Sequence, residues 1–207
     1  MYCQQSLIKK IVRDSVMNHL RLNNLLSDKQ FGFLKCRSAN LQMIRVLDDW
    51  TKCLDQGALV DIVYLDFINV FYKVSRDYLI QKLLSLGIGD KILYWLLDFL
   101  NDRFQFVSYD CMSTSVKIGN GVPQGSVIGP ASFVTFINDL PYAVSSKIYE
   151  FADDTKMFKG IVSDADRQCC NQTLNISSNG RVPTNLENLE LSGNFINLEK
   201  SGKSQGI

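Results

Sequence analysis

The sequence predicts an α+β fold in which helices flank an antiparallel sheet, and three observations predict it. Apolar residues recur at helical spacing over residues 6–26, 39–56, 75–86 and 90–101. Short β-branched and aromatic runs, above all "ALVDIVYLDF" at 58–67, have the composition of buried strands. Helices and strands follow one another irregularly, with hairpin-like pairs at 104–120 and 147–160, so a repeating βαβ winding does not fit.

The first helix, 6–26, opens at Ser6 and carries Leu7, Ile8, Ile11, Val12, Val16 and Leu20 at helical spacing. "SDKQFGFLKCRS" is a polar, basic connector to the second, 39–56, which aligns Leu41, Ile44, Leu47 and Leu54 on one face and ends at Gly57. The strand 58–67 delivers Asp66 to its carboxyl end. Helices 75–86 and 90–101 are split by "GIGD" and read as structural. Residues 104–120 read as two strands about a polar turn, leading into the loop "GVPQGSVIGP" and a helical "ASFVTFIND". "KIYEF" and "TKMFKG" then form the arms of a tight hairpin around Ala152, Asp153 and Asp154. Beyond residue 160 one more helix fits "DADRQCCNQTLNISS", but the rest is rich in Asn, Ser and Gly without sustained period and is expected to be loosely ordered.

Hydrophobic residues make up 46% of the chain and charged residues 21%, the balance of a globular protein able to bury a core. A net charge of +1 gives no global basic field. Basic residues nevertheless predominate in 1–60 and acids in 61–160, which sets a basic front beside an acidic centre. The six cysteines show no C-x-x-C spacing, and the single His19 cannot complete an ordinary zinc site, so the thiols read as free and the protein as intracellular. One histidine on a helical stretch also removes Ser-His-Asp and Cys-His hydrolase chemistry, leaving His19 as a packing or surface residue. No signal peptide is expected from "MYCQQSLIKKIV", and no apolar run is long enough to span a bilayer.

In "IYEFADDTKMF", 148–158, two adjacent acids stand in an otherwise strand-like segment. An ordinary turn would accommodate them. If the strand ending at Asp66 neighbours this hairpin, however, three carboxylates converge, and a charge of the opposite sign is expected there. Hard divalent cations, Mg²⁺ first, take such ligands and fill their remaining positions with water and substrate phosphates. Two such ions are suited to an in-line displacement at phosphorus.

Several segments, in order, resemble the reverse transcriptase domain of non-long-terminal-repeat (LINE-type) retrotransposons: "LLSDKQFGFLKCRS", "VYLDFINVFYKVSRDYLIQKL", "GVPQGSVIGP", "INDLP" and "FADDTK". The resemblance runs from about residue 6 to 160. It implies a polymerase palm with an antiparallel sheet, preceded by partial helical fingers: fingers at 1–57, palm at 58–160 and a divergent tail at 161–207. It implies RNA-directed DNA synthesis with Mg²⁺ as two ions, Mn²⁺ being able to replace it, and an RNA template, a DNA primer and deoxynucleoside triphosphates as partners, with no membrane.

By the same resemblance Asp66, Asp153 and Asp154 are the metal ligands and catalytic acids. Phe71 stands where the family keeps an aromatic that crowds the sugar 2′ position, and Gln124 and Gly125 where its loop lies against nucleotide and template base. Lys35 and Arg37 would meet phosphates. Lys200, in "FINLEKS", corresponds to a lysine that donates a proton to pyrophosphate.

The departures are specific. Val70 replaces a common Ala, Tyr72 an acid, Leu34 an Arg and Cys36 a Gly. As further departures from the family's pattern, the start of the fingers, which in the family lies upstream of this Met1, is expected to be missing, little is expected to remain for a thumb, and no endonuclease is expected to precede the domain. The alternative is an inactive retrotransposon-derived fragment with at most weak nucleic-acid binding. An RNA-templated RNA polymerase is disfavoured by Phe71.

Overall fold

The computed structural model describes residues 2–67, 70–163, 165–166 and 191–198. It divides into two compact units, Met1–Ser27 with Asn69–Asn138, and Asp28–Ile68 with Asp139–Ile207.

The second unit contains the expected sheet. Its elements are helix α2 (Ala39–Asp55), strand β1 (Leu59–Phe67), the short helix α7 (Leu140–Ala143), and strands β4 (Lys147–Phe151), β5 (Asp154–Ile161) and β6 (Leu191–Leu198). The strands run in the order β4-β5-β1-β6, each pair antiparallel. Ser38 caps α2 by accepting the Leu41 N–H at 3.2 Å, and Gly57, at φ 78°, ends it. Val46 and Trp50 of α2 pack on Val60 and Ile62 of β1, Phe158 of β5, Tyr149 of β4 and Phe31. Trp50 meets Phe158 edge-on at 6.0 Å and Tyr149 stacks on Phe158 at 6.1 Å.

Two expectations are corrected in this unit. The buried face of α2 is Gln42, Val46 and Trp50, while Ile44 and Leu47 are 63% and 49% exposed. Trp50 offers the largest apolar area on the helix and orients it; Leu41 and Leu54, at the flanks of that face, remain partly buried against the core. The tail also contributes structure: β6 pairs with β1 along its length, from Val60↔Leu198 to Phe67↔Leu191. "LSGNFINL" hid this because Gly193, Asn194 and Asn197 are poor strand formers, and the hydrogen-bonding edge of β1 supplies what propensity does not.

Tyr149 donates to Asp49 at 2.9 Å, and Lys147 lies 3.0 Å from the same carboxylate. Partial burial opposes ionisation of Asp49, yet these two partners hold it below the usual carboxylate range. A depressed carboxylate pKa contributes stability that is present above the unfolded-state value and lost as the pH falls through the folded-state value. Asp49→Asn is therefore expected to lower the melting temperature at neutral pH, with the deficit shrinking on acidification through that window. Melting curves at a series of pH values check this, and a deficit independent of pH would contradict it. Burial, with Asp49 second, pushes the Tyr149 hydroxyl up to about 12.

The first unit is largely helical. It comprises α1 (Tyr2–Leu22), α3 (Val70–Lys73), α4 (Arg76–Ser85), α5 (Asp90–Leu100), the two-stranded pair β2 (Arg103–Gln105) and β3 (Val116–Ile118), and α6 (Gly129–Ile137). Leu20, Leu79, Leu83, Leu96, Leu100, Phe133 and Phe136 are buried at its centre. Lys82 is buried too, its Nζ donating to Phe136 O at 3.0 Å above the Tyr78 ring. The first helix begins before Ser6 and stops at Leu22; Leu7, Ile8 and Ile11 are exposed while Val12, Val16 and Leu20 face the core. His19 is a packing residue: its Nε2 donates to Leu86 O at 2.9 Å. The strands expected across 104–120 shorten to three residues each.

Candidate active site

Antiparallel register brings the three acids to one end of the sheet. The β1–β5 ladder runs from Leu59↔Ile161 to Leu65↔Thr155, and its continuation sets Asp66 level with Asp154. Alternation places both on the face that carries Ile62, Tyr64, Lys156 and Phe158. Asp153 occupies the two-residue turn after Phe151, where Ala152 takes the left-handed conformation at φ 58°. Asp66 and Asp154 are exposed and Asp153 is half-buried.

Electrostatics agree with this proximity. Burial first, then the negative charges of Asp154 and Asp66, push the Asp153 carboxyl up from its ordinary value, against a hydrogen bond from its own backbone. Burial and like charge both disfavour the ionised form of Asp153. Lys156, on the same face, is turned to Gln42 Oε1 at 3.0 Å and its pKa is lowered by burial, with Asp154 opposing.

Among the described residues, no three His, Cys, Asp or Glu side chains are arranged to hold an ion by themselves. Mg²⁺ does not need such a cage: it keeps several waters and is commonly held by one or two carboxylates with substrate phosphates. The oxygen donors of Asp66, Asp153 and Asp154, and the raised pKa of Asp153, fit a hard divalent cation.

The hairpin is supported from the connector before α2. Phe31 N–H donates to Glu150 O at 2.7 Å and Glu150 N–H to Lys29 O at 2.9 Å, while the Gln30 amide reaches the Ala152 peptide. Arg37 donates to Gln30 O at 2.5 Å and lies over the Phe31 ring, where Arg45 approaches it as well. Burial, then the charge of Arg45, lowers the Arg37 pKa. Lys35 is exposed on the same connector.

Cys36 has φ 64°, a conformation that glycine adopts without strain. The backbone thus retains the shape a glycine would favour at that position. Cys36→Gly is expected to raise stability by about 1 kcal/mol, the strain relieved exceeding the added chain entropy; an unchanged or lower denaturant midpoint would contradict that.

Phe71, Gln124 and Gly125 belong to the other unit. Phe71 packs on Phe133 with ring centroids 5.3 Å apart. Its carbonyl accepts from Val122 N–H at 2.6 Å, and Val74 O accepts from Gly121 N–H at 2.8 Å, so the loop bearing exposed Gln124 and Gly125 is tied to the helix bearing Phe71. Val70 is buried and Tyr72 is 49% exposed. Arg103 fastens the loop from its other side, donating to Leu100 O at 3.0 Å, to Asn120 O at 3.1 Å and to Gly121 O. Lys200 lies outside the described residues.

Sequence reasoning missed Gln30, Gly32, Arg45 and Arg103. A single buried glutamine in a polar connector has no period or spacing to reveal it, and Arg103 acts only on backbone carbonyls.

A family model described as "Reverse transcriptase (RNA-dependent DNA polymerase)" matches residues 1–190. The chain belongs to the reverse transcriptase family. Among its relatives, a probable RNA-directed DNA polymerase from transposon BS of Drosophila melanogaster is 28% identical over 171 residues, 79% of this chain and 18% of that protein. The RNA-directed DNA polymerase from mobile element jockey of the same species is 31% identical over 136 residues, 61% of this chain and 15% of that protein. This reverse transcriptase domain thus spans less than a fifth of the length of those curated relatives. The kinship with non-long-terminal-repeat reverse transcriptases, expected from the motifs, holds over most of the chain.

Apo telomerase from Candida tropicalis matches the reverse transcriptase domain with a TM-score of 0.69 and 11% identity, over 94% of this chain and 37% of that one. That likeness is one of fold, and it agrees with the helix-flanked antiparallel sheet. Among the described residues, no helix is long and apolar enough to cross a membrane.

Proposed function

We propose that this domain performs RNA-templated DNA synthesis, transferring a deoxynucleoside monophosphate to a primer 3′-hydroxyl, with Asp66, Asp153 and Asp154 as its chemical centre. In that step the 3′-hydroxyl gives up its proton to solvent as its oxygen bonds to the α-phosphorus, the bond from that phosphorus to the bridging oxygen breaks, and pyrophosphate leaves with the electron pair. The observation that carries the reading is the register of β1 against β5, which brings Asp66 level with Asp154 at the end of the sheet where the β4–β5 turn carries Asp153; burial first, then the charges of Asp154 and Asp66, push the Asp153 carboxyl up. Asp66 and Asp153 would hold Mg²⁺, or Mn²⁺ in its place, with Asp154 beside them. The bound ions would neutralise the charge of the transferring phosphoryl group. The carboxylates fix position, and the sheet keeps them from reorganising as charge develops.

In the same reading residues 1–57 serve as fingers and 58–160 as palm, Arg37 and Lys35 meet phosphates by charge, and Lys200 hands a proton to pyrophosphate. Phe71 crowds the sugar 2′ position; its packing on Phe133 and the bond from Val122 N–H to its carbonyl support a fixed ring. Phe71→Val is expected to reduce discrimination against ribonucleotides by about tenfold or more, measured as kcat/KM for rUTP against dTTP. An unchanged ratio would remove Phe71 from sugar selection.

Primer extension on poly(rA)/oligo(dT) with dTTP and Mg²⁺ tests the function itself. Extension that Asp66→Ala abolishes is the expected result. A folded chain that binds the duplex without extending it would favour the alternative, a fragment that only holds nucleic acid.

A further inference from the structure

The turn that carries Asp153 is closed by the Phe151↔Asp154 pair and holds a strained residue. It contains two residues, and Ala152 sits in a left-handed conformation that a residue with a Cβ adopts at some energetic disadvantage. Asp153 leaves this turn beside two like charges. The strand pair fixes the ends of the turn, and the direction of the Asp153 carboxylate depends on how the Ala152 peptide is held.

Support comes from Gln30, which is 1% exposed. Its Oε1 accepts the Ala152 N–H at 2.9 Å and the Gly32 N–H at 2.7 Å, and its Nε2 donates to Ala152 O at 3.3 Å. One side-chain amide thus engages both peptide groups of the residue immediately before Asp153. Gly32 makes the approach feasible: a Cβ there would overlap the Ala152 nitrogen and come within 2.8 Å of its Cα. The backbone bonds of Lys29 and Phe31 to Glu150 hold this contact in register along β4.

We propose that Gln30 is the positioning residue of the aspartate hairpin, its amide fixing the Ala152 peptide and so the direction in which the Asp153 carboxylate leaves the turn. The inference rests on the reading of Asp66 and Asp153 as cation ligands. Its physical content is preorganisation: the amide holds the carboxylate against repulsion before any cation arrives. Gln30 need touch neither substrate nor metal to do so.

The test uses Gln30→Met, which keeps side-chain length and bulk and loses both hydrogen-bonding atoms. Amide hydrogen exchange by NMR reads the latch without reference to activity. In the wild type the Ala152 and Gly32 amides are expected to be protected; in Gln30→Met they should exchange about tenfold faster, while Ile62 and Met157 in the ladder are unchanged. Unprotected wild-type amides at both positions, or equal rates in wild type and variant, would overturn the latch. The wild-type measurement alone decides this if the variant fails to fold.

Mn²⁺ titration followed by electron paramagnetic resonance reads the consequence. Gln30→Met, and Gly32→Ala by displacing the turn instead, are expected to weaken Mn²⁺ binding about tenfold. Equal affinities in wild type and variants would overturn the positioning role. A wild type that binds no Mn²⁺ would overturn the metal reading of the carboxylates and the role assigned to Gln30 with it, while the exchange comparison would still decide the latch.

Discussion

Asp153→Asn is expected to abolish primer extension while raising the melting temperature of the metal-free chain. The two effects share a cause. Asp153 is half-buried, and burial with the charges of Asp154 and Asp66 raises its pKa. A carboxyl whose folded pKa lies above its unfolded value destabilises the fold in its ionised form, so stability is gained as the pH falls through the folded value toward the unfolded one. Asparagine keeps the shape and removes the charge at every pH. Its metal-free melting temperature should therefore exceed the wild type's at neutral pH, and the gap should close on acidification. Activity should fall about a thousandfold or more, the order expected when charge stabilisation at a transferring phosphoryl group is withdrawn. Calorimetry and primer extension on the same preparations check both signs. A variant less stable than wild type without metal would show that Asp153 is an ordinary satisfied turn residue.

Gly121→Val should produce the largest loss of stability. Gly121 has φ 86°, a conformation that a β-branched residue resists. Even a Cβ there would come within 2.7 Å of both Tyr72 Cα and Tyr72 O and within 2.8 Å of Phe71 O, all backbone atoms that cannot rotate away. The hydrogen bonds from Gly121 to Val74 O and from Val122 to Phe71 O would have to open. Strain and overpacking together are expected to lower stability by about 3 kcal/mol or more. Denaturant unfolding measures this, and a midpoint within experimental error of wild type would contradict the close approach. Where the variant remains folded, its extension should also lose sugar discrimination, because the loop and the Phe71 helix are tied at this point.

Much of this architecture was legible because periodicity and punctuation agreed. Strand β1 announced itself through β-branched and aromatic residues, the β4–β5 hairpin through two strand-like arms about Ala152 and Asp153, and α2 through helical spacing and Gly57 at its end. The motif order carried the family, and the register of β1 against β5 brings the named acids to one end of one sheet.

What the sequence obscured depends on tertiary context. β6 has Asn and Gly where strands prefer branched residues, and it pairs because β1 offers an open edge. The face of α2 was misread because Ile44 and Leu47 are as apolar as the residues it buries, and Trp50 decides the orientation by area. Gln30 escaped notice because its partners are backbone atoms, those of Ala152 lying 122 residues away. The left-handed conformation of Cys36 was likewise not legible, since the sequence showed only a cysteine in a polar connector.

The central proposal is that Asp66, Asp153 and Asp154 at the end of the sheet hold a divalent cation. It is tested most directly by the melting temperature of wild type and Asp153→Asn as Mg²⁺ is raised at neutral pH. The account predicts that wild type starts below the variant and climbs with Mg²⁺ as ligand binding stabilises the folded chain, while the variant stays nearly flat, so that the two curves converge or cross. Parallel curves for the two proteins would contradict it, because the carboxylates would then be bystanders to the metal.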